Sequence, residues 1–246
     1  MAIEIGIIGF GNFGKFMALY LAKKFKIFVY DIAKIPEESL SMHVTFSSLE
    51  EILNKEVIIL AVPMESLEKT LYDIKDRIKE NSLVMDVCSL KMFSCSLMDK
   101  ILPKNIEIIG THPLFGEKSA KNSIRGMKIA LCNVRSSRLE KVKTFCEQLG
   151  LKVIITSPEE HDKQMALSQA LTHFIGRTAQ RCDIERVSLS TKTFDDLMDI
   201  IDVIKEDSSV LFENMQNMNP FALEVRSRFL EEARKLHEHL SKSNIK

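Results

Sequence analysis

The first 30 residues constrain the fold of this chain more than any other segment. Residues 3–8 form a nearly continuous apolar run, as expected for a strand buried on both faces of a sheet. The glycine-rich sequence GFGNFG follows at residues 9–14, and residues 16–25 then carry apolar side chains at helical spacing. A second apolar run, KIFVY, occupies residues 26–30. This order of strand, glycine loop, helix and strand predicts the start of a Rossmann-type dinucleotide-binding domain.

The GxGxxG spacing gives each of its three glycines a separate task. Gly9 permits the tight turn, Gly11 lets the backbone approach a pyrophosphate, and Gly14 lets the helix pack against the strand. The phosphates are expected on the free N–H groups at the positive end of that helix.

An acid at the end of the second strand favours one cofactor over another. Asp31 lies 22 residues after Gly9, close to the spacing expected for a carboxylate that binds the ribose hydroxyls. This carboxylate would repel a 2′-phosphate, which favours NAD, although Lys34 nearby would soften the repulsion and leave NADP possible. The predicted cofactor-binding residues are Gly9, Phe10, Gly11, Asn12, Phe13, Gly14, Asp31, Ala61, Val62 and Pro63.

Strand and helix patterns continue to alternate up to residue 156 and then give way to helices alone. Further strands are predicted at residues 57–62, 83–87, 106–110, 128–132 and 152–156, and further helices at residues 48–54, 67–78 and 136–149. The helices predicted after the alternation stops are residues 161–181, 194–205, 208–218 and 220–240. The pattern predicts an α/β fold: a doubly wound, mostly parallel sheet over residues 1–156, followed by an all-helical domain over residues 157–246.

Composition excludes several classes of protein. The 246 residues include 34 basic and 34 acidic side chains, so the balanced charge gives no general attraction to nucleic acid or to an acidic membrane. No apolar run reaches the length of a spanning helix, and the N-terminus is predicted to be a strand rather than a signal peptide. The five cysteines form no CxxC pair, which favours reduced thiols, a cytoplasmic protein and no metal site.

Three short segments carry the candidate chemistry. DVCSLK (86–91) and GTHPLFG (110–116) each come at the end of a predicted strand, where open α/β sheets bind their ligands. His112 is a natural proton acceptor there, with Ser89 orienting it or binding the same hydroxyl. The third segment, SQALTH (168–173), lies in a helix of the second domain, from which His173 is expected to close the cleft. The alternatives are a turn histidine at residue 112 and a core histidine at residue 173.

These segments, together with GFGNFG and SPEEHD, resemble the prephenate/arogenate dehydrogenases of tyrosine biosynthesis. STKTFDDLM at residues 190–198 is similar to a segment of the plant-like arogenate dehydrogenase type. The resemblance implies NAD-dependent oxidative decarboxylation of a cyclohexadienyl substrate, with dimerisation through the helical domain. It implies that His112 binds and deprotonates the ring hydroxyl and that Ser89 supports it. The residues that it implies for substrate binding are Gln169, His173, Thr111, Lys91 and Asp207.

Two departures from the family pattern bear on the substrate. Many bacterial members carry an arginine that pairs with a substrate carboxylate, and this chain has Asp196 or a neighbouring residue at that position instead. The glycine-rich GPESG segment of the family is GEKSA here, at residues 116–120. The candidates for the missing donor are Lys118, Lys121, Arg177 and Lys192. Asp207 aligns with an acid of arogenate-preferring members, and an acid favours an ammonium over a keto group. The alternative role for Asp207 is to cap the next helix.

Two other functions remain open from the residues alone. One is another two-domain Rossmann dehydrogenase, of the β-hydroxyacid type, which would share the glycine loop but is not expected to carry THPLFG. The other is a regulatory module that senses NAD without turnover, which the joint presence of Ser89, His112 and His173 disfavours.

Overall fold

An eight-stranded sheet dominates the first of two compact units, Met1–Glu159 and Glu160–Lys246. The computed structural model describes residues 3–33, 43–117, 119–120, 123–205 and 207–243. The strands are β1 Glu4–Ile8, β2 Lys26–Tyr30, β3 Val44–Phe46, β4 Val57–Leu60, β5 Leu83–Asp86, β6 Glu107–Pro113, β7 Lys128–Arg135 and β8 Lys152–Ile155. Their order is β3-β2-β1-β4-β5-β6-β7-β8, and only the β6–β7 pair is antiparallel. The predicted doubly wound, mostly parallel sheet is confirmed.

Helices cover both faces of this sheet because consecutive strand residues point to opposite sides. Ile8 packs in a cluster with the helices α2 and α3, whereas Ile7 packs in another with α1. The helices of the first unit are α1 Asn12–Leu21, α2 Leu49–Leu53, α3 Met64–Ile74, α4 Lys91–Ile101 and α5 Leu139–Gln148. Helix α1 begins four residues before its predicted start, since the glycine loop leads directly into it.

Two elements of the first unit escaped the sequence analysis. Strand β3 has only three residues. Helix α4 is longer, but its buried face consists of Lys91, Ser94, Cys95 and Met98, so polar side chains occupy positions where a helical pattern requires apolar ones.

Strand β6 extends farther than predicted, and the extension determines where His112 lies. The parallel partner β5 ends at Asp86, which pairs with Gly110. On the other side, β7 runs antiparallel and continues to pair as far as Pro113, with His112 opposite Ala130. His112 therefore belongs to the strand itself, beyond the end of its parallel neighbour, rather than to the following turn.

The second unit is helical, as predicted. Helix α6, Pro158–Met165, leads into a π-helical turn at Ala166–Ala170, and the chain continues in α7 Leu171–Arg181, α8 Lys192–Lys205, α9 Ser209–Asn217 and α10 Ala222–Ser243. Helices α7 and α8 pack closely at Gly176, where an added Cβ would lie 2.5 Å from the Ile204 side chain. The predicted single helix over residues 161–181 is thus interrupted by a π-turn, a feature frequent at functional sites.

Candidate active site

The glycine loop has the geometry of a phosphate-binding turn. Gly9 has φ +101°, and a Cβ there would lie 2.4 Å from the carbonyl oxygen of Ala61. A Cβ at Gly14 would lie 2.3 Å from the Gly9 oxygen, so both positions require glycine. Gly11 differs, because no described atom lies within 4 Å of its added Cβ. The backbone at Gly11, which precedes α1, is open to a close-approaching ligand as the GxGxxG pattern predicts.

Asp31 joins the end of β2 to this loop. One carboxylate oxygen accepts a hydrogen bond from the Phe10 N–H at 2.6 Å, and the other accepts one from the Ala33 N–H at 2.8 Å. The structure therefore brings the predicted ribose acid to the predicted phosphate loop. Lys34, expected to soften the preference for NAD, lies outside the described residues.

The segment after β4 forms the opposite wall of the loop. Gly9 lies against the backbone of Ala61 and Val62. Pro63 is exposed and immediately precedes α3. The predicted cofactor-binding residues after β1, β2 and β4 thus gather at one edge of the sheet, at the carboxyl ends of three adjacent parallel strands.

Ser89 follows the next strand along the same edge, β5, and His112 lies near the end of its neighbour β6. Ser89 lies between β5 and α4, with its Oγ 3.8 Å from the Met64 sulfur. His112 is only 6% exposed. Burial raises the pKa of the neighbouring Cys88 thiol, so this group stays protonated and is not a competing nucleophile. The geometry leaves an imidazole and a hydroxyl as the candidate groups for proton transfer.

Lys91 does not occupy the position expected of a substrate-binding residue. Its side chain is completely buried, and its ammonium donates hydrogen bonds to the Asp86 carboxylate and, at 2.7 Å, to the carbonyl oxygen of Thr111. Burial has the largest single influence and lowers the pKa of this ammonium, but the charge and hydrogen bond of Asp86, together with Cys88 and Cys95, outweigh it, so the net pKa is raised. Lys91 therefore stays charged and engaged inside the first unit, which corrects its predicted contact with substrate. Asp86, to which the sequence analysis gave no role, is its partner.

Three polar side chains form a row in the second unit. Gln169 lies in the π-turn, and His173 and Arg177 follow it at intervals of four residues, which places them on one side of the helical segment. Gln169 Oε1, His173 Nδ1 and Arg177 Nε are buried atoms without a hydrogen-bond partner among the described residues. Because an unsatisfied buried polar atom is costly, these three atoms have bonding capacity that a further partner can use.

Asp207 completes this group. Its carboxylate lies 3.4 Å from His173 Nδ1, an ion-pair distance without hydrogen-bond geometry, and its carbonyl oxygen accepts a hydrogen bond from the Arg177 guanidinium. That guanidinium also lies 5.6 Å from the ring centre of Phe212. The cap of α9 is Ser208, whose hydroxyl accepts from the Leu211 N–H at 3.1 Å. Capping is thus carried out by the next residue, and the alternative role for Asp207 is wrong.

The environment of His173 favours its neutral form. Burial lowers its pKa, the Arg177 charge lowers it further, and the Asp207 carboxylate opposes both effects.

The remaining candidates for a carboxylate donor lie elsewhere. Lys192 is highly exposed and paired with Asp196 on α8. Lys118 and Lys121 lie outside the described residues. Arg177 is therefore the described candidate with an unpartnered buried nitrogen.

Two features are absent from the described residues. No three or more histidine, cysteine or acidic side chains gather where they could hold a metal ion. Within the same residues, no helix combines the length and the apolar character needed to cross a membrane.

Comparison with known proteins supplies the family. Residues 18–155, more than half of the chain, match the nucleotide-binding domain of prephenate dehydrogenase. The chain belongs to the prephenate dehydrogenase family. Residues 178–246 match the TYRAAT1-like C-terminal domain. The first match contains Asp31, Ser89 and His112, and the second contains Asp207, whereas the glycine loop and His173 lie outside both.

Two plant relatives confirm the predicted resemblance. Arogenate dehydrogenases 1 and 2 of Arabidopsis thaliana, both chloroplastic, are each 31% identical to the chain over 239 residues, which is 92% of its length. The chain spans 37% of the length of the first and 67% of the second. The solved prephenate dehydrogenase from A. aeolicus, in complex with hydroxyphenyl propionate and NAD+, has the same fold. Its TM-score is 0.78 at 20% identity, covering 99% of this chain and 92% of that one.

Proposed function

We propose that this chain catalyses the NAD-dependent oxidative decarboxylation of arogenate or prephenate, giving tyrosine or 4-hydroxyphenylpyruvate. The observation that carries the proposal is the arrangement along one sheet edge of a family member. A dinucleotide loop, its ribose acid and a serine follow strands β1, β2 and β5, and a buried histidine lies near the end of β6, at the same edge of the sheet. In open α/β sheets this edge is where ligands bind. The names of the plant relatives support the substrate class.

The residues present fit a dinucleotide. The open backbone at Gly11 and the N-terminus of α1 would hold the pyrophosphate, and Asp31 would accept the ribose hydroxyls. When bound, NAD+ supplies the acceptor for the hydride that leaves the ring carbon bearing the hydroxyl. The open space at Gly11 and the close contact between Gly9 and the Ala61 backbone support this assignment.

His112 would manage the proton of the ring hydroxyl. It accepts that proton as the C–H electron pair leaves the ring carbon. The ring carboxylate then departs as CO2, the electron pair of its C–C bond enters the ring, and the ring becomes aromatic. His112 returns the proton to the resulting phenolate oxygen, so the substrate loses one hydride and one CO2 and no net proton. Aromatisation supplies much of the driving force, and the protein mainly positions the ring.

The row in the second unit would bind the part of the substrate that does not react. Arg177 Nε can donate a hydrogen bond to a substrate carboxylate. Arg177 would thus take the role of the family arginine that is missing near Asp196. The Asp207 carboxylate offers a partner for an ammonium, and the neutral form of His173 adds no competing positive charge. Arogenate carries the ammonium that prephenate lacks, so this charge pattern favours arogenate.

Two further parts of the function remain predictions. A homodimer through the helical unit follows from the family resemblance, and α10 does expose apolar side chains such as Leu230 and Leu236. The cytoplasmic location rests on cysteine usage alone.

A steady-state assay with four combinations tests the proposal. Arogenate or prephenate is supplied with NAD or NADP, and NADH or NADPH formation gives kcat/KM for each pair. We expect the highest value for arogenate with NAD. A preference for prephenate would agree with the proposed dehydrogenase activity but contradict the role of Asp207. An absence of turnover with every pair, combined with measurable NAD binding, would favour a module that senses NAD.

A further inference from the structure

A buried ion pair stands beside the two candidate catalytic segments. The side chains of Asp86 and Lys91 are both 0% exposed, and their charged groups are in direct contact. Burying two charges is costly and often stabilises a protein no more than apolar side chains of the same size would. The contacts that the pair makes with its surroundings indicate what it does.

The first of these contacts hold the residue before His112. The Thr111 N–H donates to Asp86 Oδ1 at 3.2 Å, and the Thr111 carbonyl oxygen accepts from the Lys91 ammonium at 2.7 Å. The Thr111 hydroxyl donates to the Asp86 carbonyl oxygen. All the polar groups of Thr111 are thus bound to the pair. Strand β5 has ended at this level, so the side chains of the pair replace the backbone partner that β5 no longer provides.

A second contact holds the residue before Ser89. The Cys88 N–H donates to Asp86 Oδ2 at 3.0 Å, which fixes the start of the loop that carries Ser89. The same carboxylate therefore binds one backbone N–H in each catalytic segment.

The surroundings of Gly110 show how closely the pair fits. A Cβ at Gly110 would lie 3.5 Å from Lys91 Cδ and 2.3 Å from Cys95 Sγ. Helix α4, which carries both Lys91 and Cys95, can approach β6 only because residue 110 has no side chain.

We propose that Asp86 and Lys91 act as a clamp that positions Ser89 and His112 relative to each other through the backbones of Cys88 and Thr111. The proposal rests on the proposed function, because the clamp acts on the proton acceptor named there. Asp86 and Lys91 are positioning residues: neither is assigned a contact with substrate or cofactor.

The test is the double variant Asp86→Asn/Lys91→Met, which removes both charges and preserves the approximate volumes. We expect kcat for arogenate to fall by at least about tenfold, since small displacements of catalytic groups have large effects on rate, while KM for NAD stays within about twofold. Met98→Ala is the matched control. It opens a cavity on the same buried face of α4 and should destabilise the protein without changing kcat per folded molecule by more than about twofold.

A double-mutant cycle with His112→Asn distinguishes positioning from general destabilisation. If the clamp acts through His112, adding the clamp variant to His112→Asn should lower the residual kcat by less than about twofold. An equal fall in both backgrounds, or a fall as large in Met98→Ala, would overturn the proposal.

Two measurements keep the clamp testable if activity or folding fails. The imidazole NMR signals of His112 should shift or broaden in the double variant, and this result does not depend on turnover; unchanged signals would contradict the clamp even in an active enzyme. If the wild-type protein shows no turnover, signals that shift in the double variant would still support the clamp, and only the proposed function would be contradicted. If the double variant does not fold, Thr111→Val removes only the hydroxyl bond to the backbone carbonyl oxygen of Asp86, one of the three bonds that hold Thr111 against the pair, and we expect a fall of about threefold or more in kcat with unchanged KM for NAD. An unchanged kcat would argue against the clamp.

Discussion

The two units of this protein differ in how the polar groups of their candidate site segments are bonded, although the Ser94 Oγ in the first unit also has no partner among the described residues. Around the candidate site of the first unit, the Asp86 carboxylate, the Lys91 ammonium and the polar groups of Thr111 are bound to one another. The second unit has three buried side-chain atoms without a hydrogen-bond partner among the described residues: Gln169 Oε1, His173 Nδ1 and Arg177 Nε. One set is complete within its own unit, and the other has unused capacity.

This difference suggests a division of labour. A network whose bonds are all made holds its members rigidly, as proton and hydride transfer require. A row of unsatisfied groups is stabilised when a ligand supplies the missing partners, which suits recognition of the substrate. We therefore expect substitutions in the first unit to act mainly on kcat or on the cofactor. Substitutions in the second unit should act mainly on KM for the substrate.

The largest effect is expected from His112→Asn. Loss of the proton acceptor should lower kcat by about two to four orders of magnitude, while NAD affinity and the circular dichroism spectrum stay near those of the wild type. Steady-state kinetics and NAD titration measure the two quantities. A fall of less than tenfold would show that His112 is not the base and would remove the chemical task from the first unit.

Arg177→Met tests the second unit. Losing a charge-assisted hydrogen bond to a substrate carboxylate should raise KM for arogenate by about 10- to 100-fold, with a smaller change in kcat. Arg181→Met, an exposed position at the end of the same helix, is the matched control and should change KM by less than about twofold. A fall confined to kcat in Arg177→Met would contradict the division between the units.

Asp31→Ala sharpens the comparison within the first unit, because it should affect the cofactor and leave the proton transfer intact. We expect NAD to bind about tenfold more weakly and NADP to lose less, since the lost carboxylate both binds ribose hydroxyls and repels a 2′-phosphate. The ratio of the two dissociation constants is the measurement. If the ratio does not change, Asp31 has only the backbone contacts to Phe10 and Ala33.

The sequence predicted most of the fold in the first unit because its signals are local. Apolar runs of four to six residues and the glycine loop each indicate their own structure without knowledge of their neighbours. Helix α4 was missed because its buried face is lined by Lys91, Ser94 and Cys95, which become intelligible only beside Asp86 and Gly110.

The site was predictable where residue type and spacing decide it and unpredictable where tertiary contacts do. The glycine loop and the proximity of Asp31 to it follow from the sequence. The role of Lys91 does not, because only the fold reveals that its ammonium is enclosed. The DxxSxK spacing of residues 86–91 was the available signal, since it places an acid and a base on either side of Ser89. The capping of α9 by Ser208 instead of Asp207 likewise required the structure.

The smallest expected effect concerns the pH dependence of stability and isolates His173. Its pKa is lowered in the folded protein, so the unfolded chain takes up this proton first as the pH falls through the ordinary value of 6.5. The free energy of unfolding should therefore decrease as the pH falls from about 7.5 toward the lowered pKa, by no more than ~1.4 kcal/mol per pH unit for one proton. Urea unfolding of His173→Gln should lack this component. Asp207→Asn should steepen it, because the carboxylate that opposes the lowering is gone. Identical pH profiles for the wild type and His173→Gln would mean that the second unit does not hold this imidazole in its neutral form, and would weaken the case for a site that prefers an ammonium.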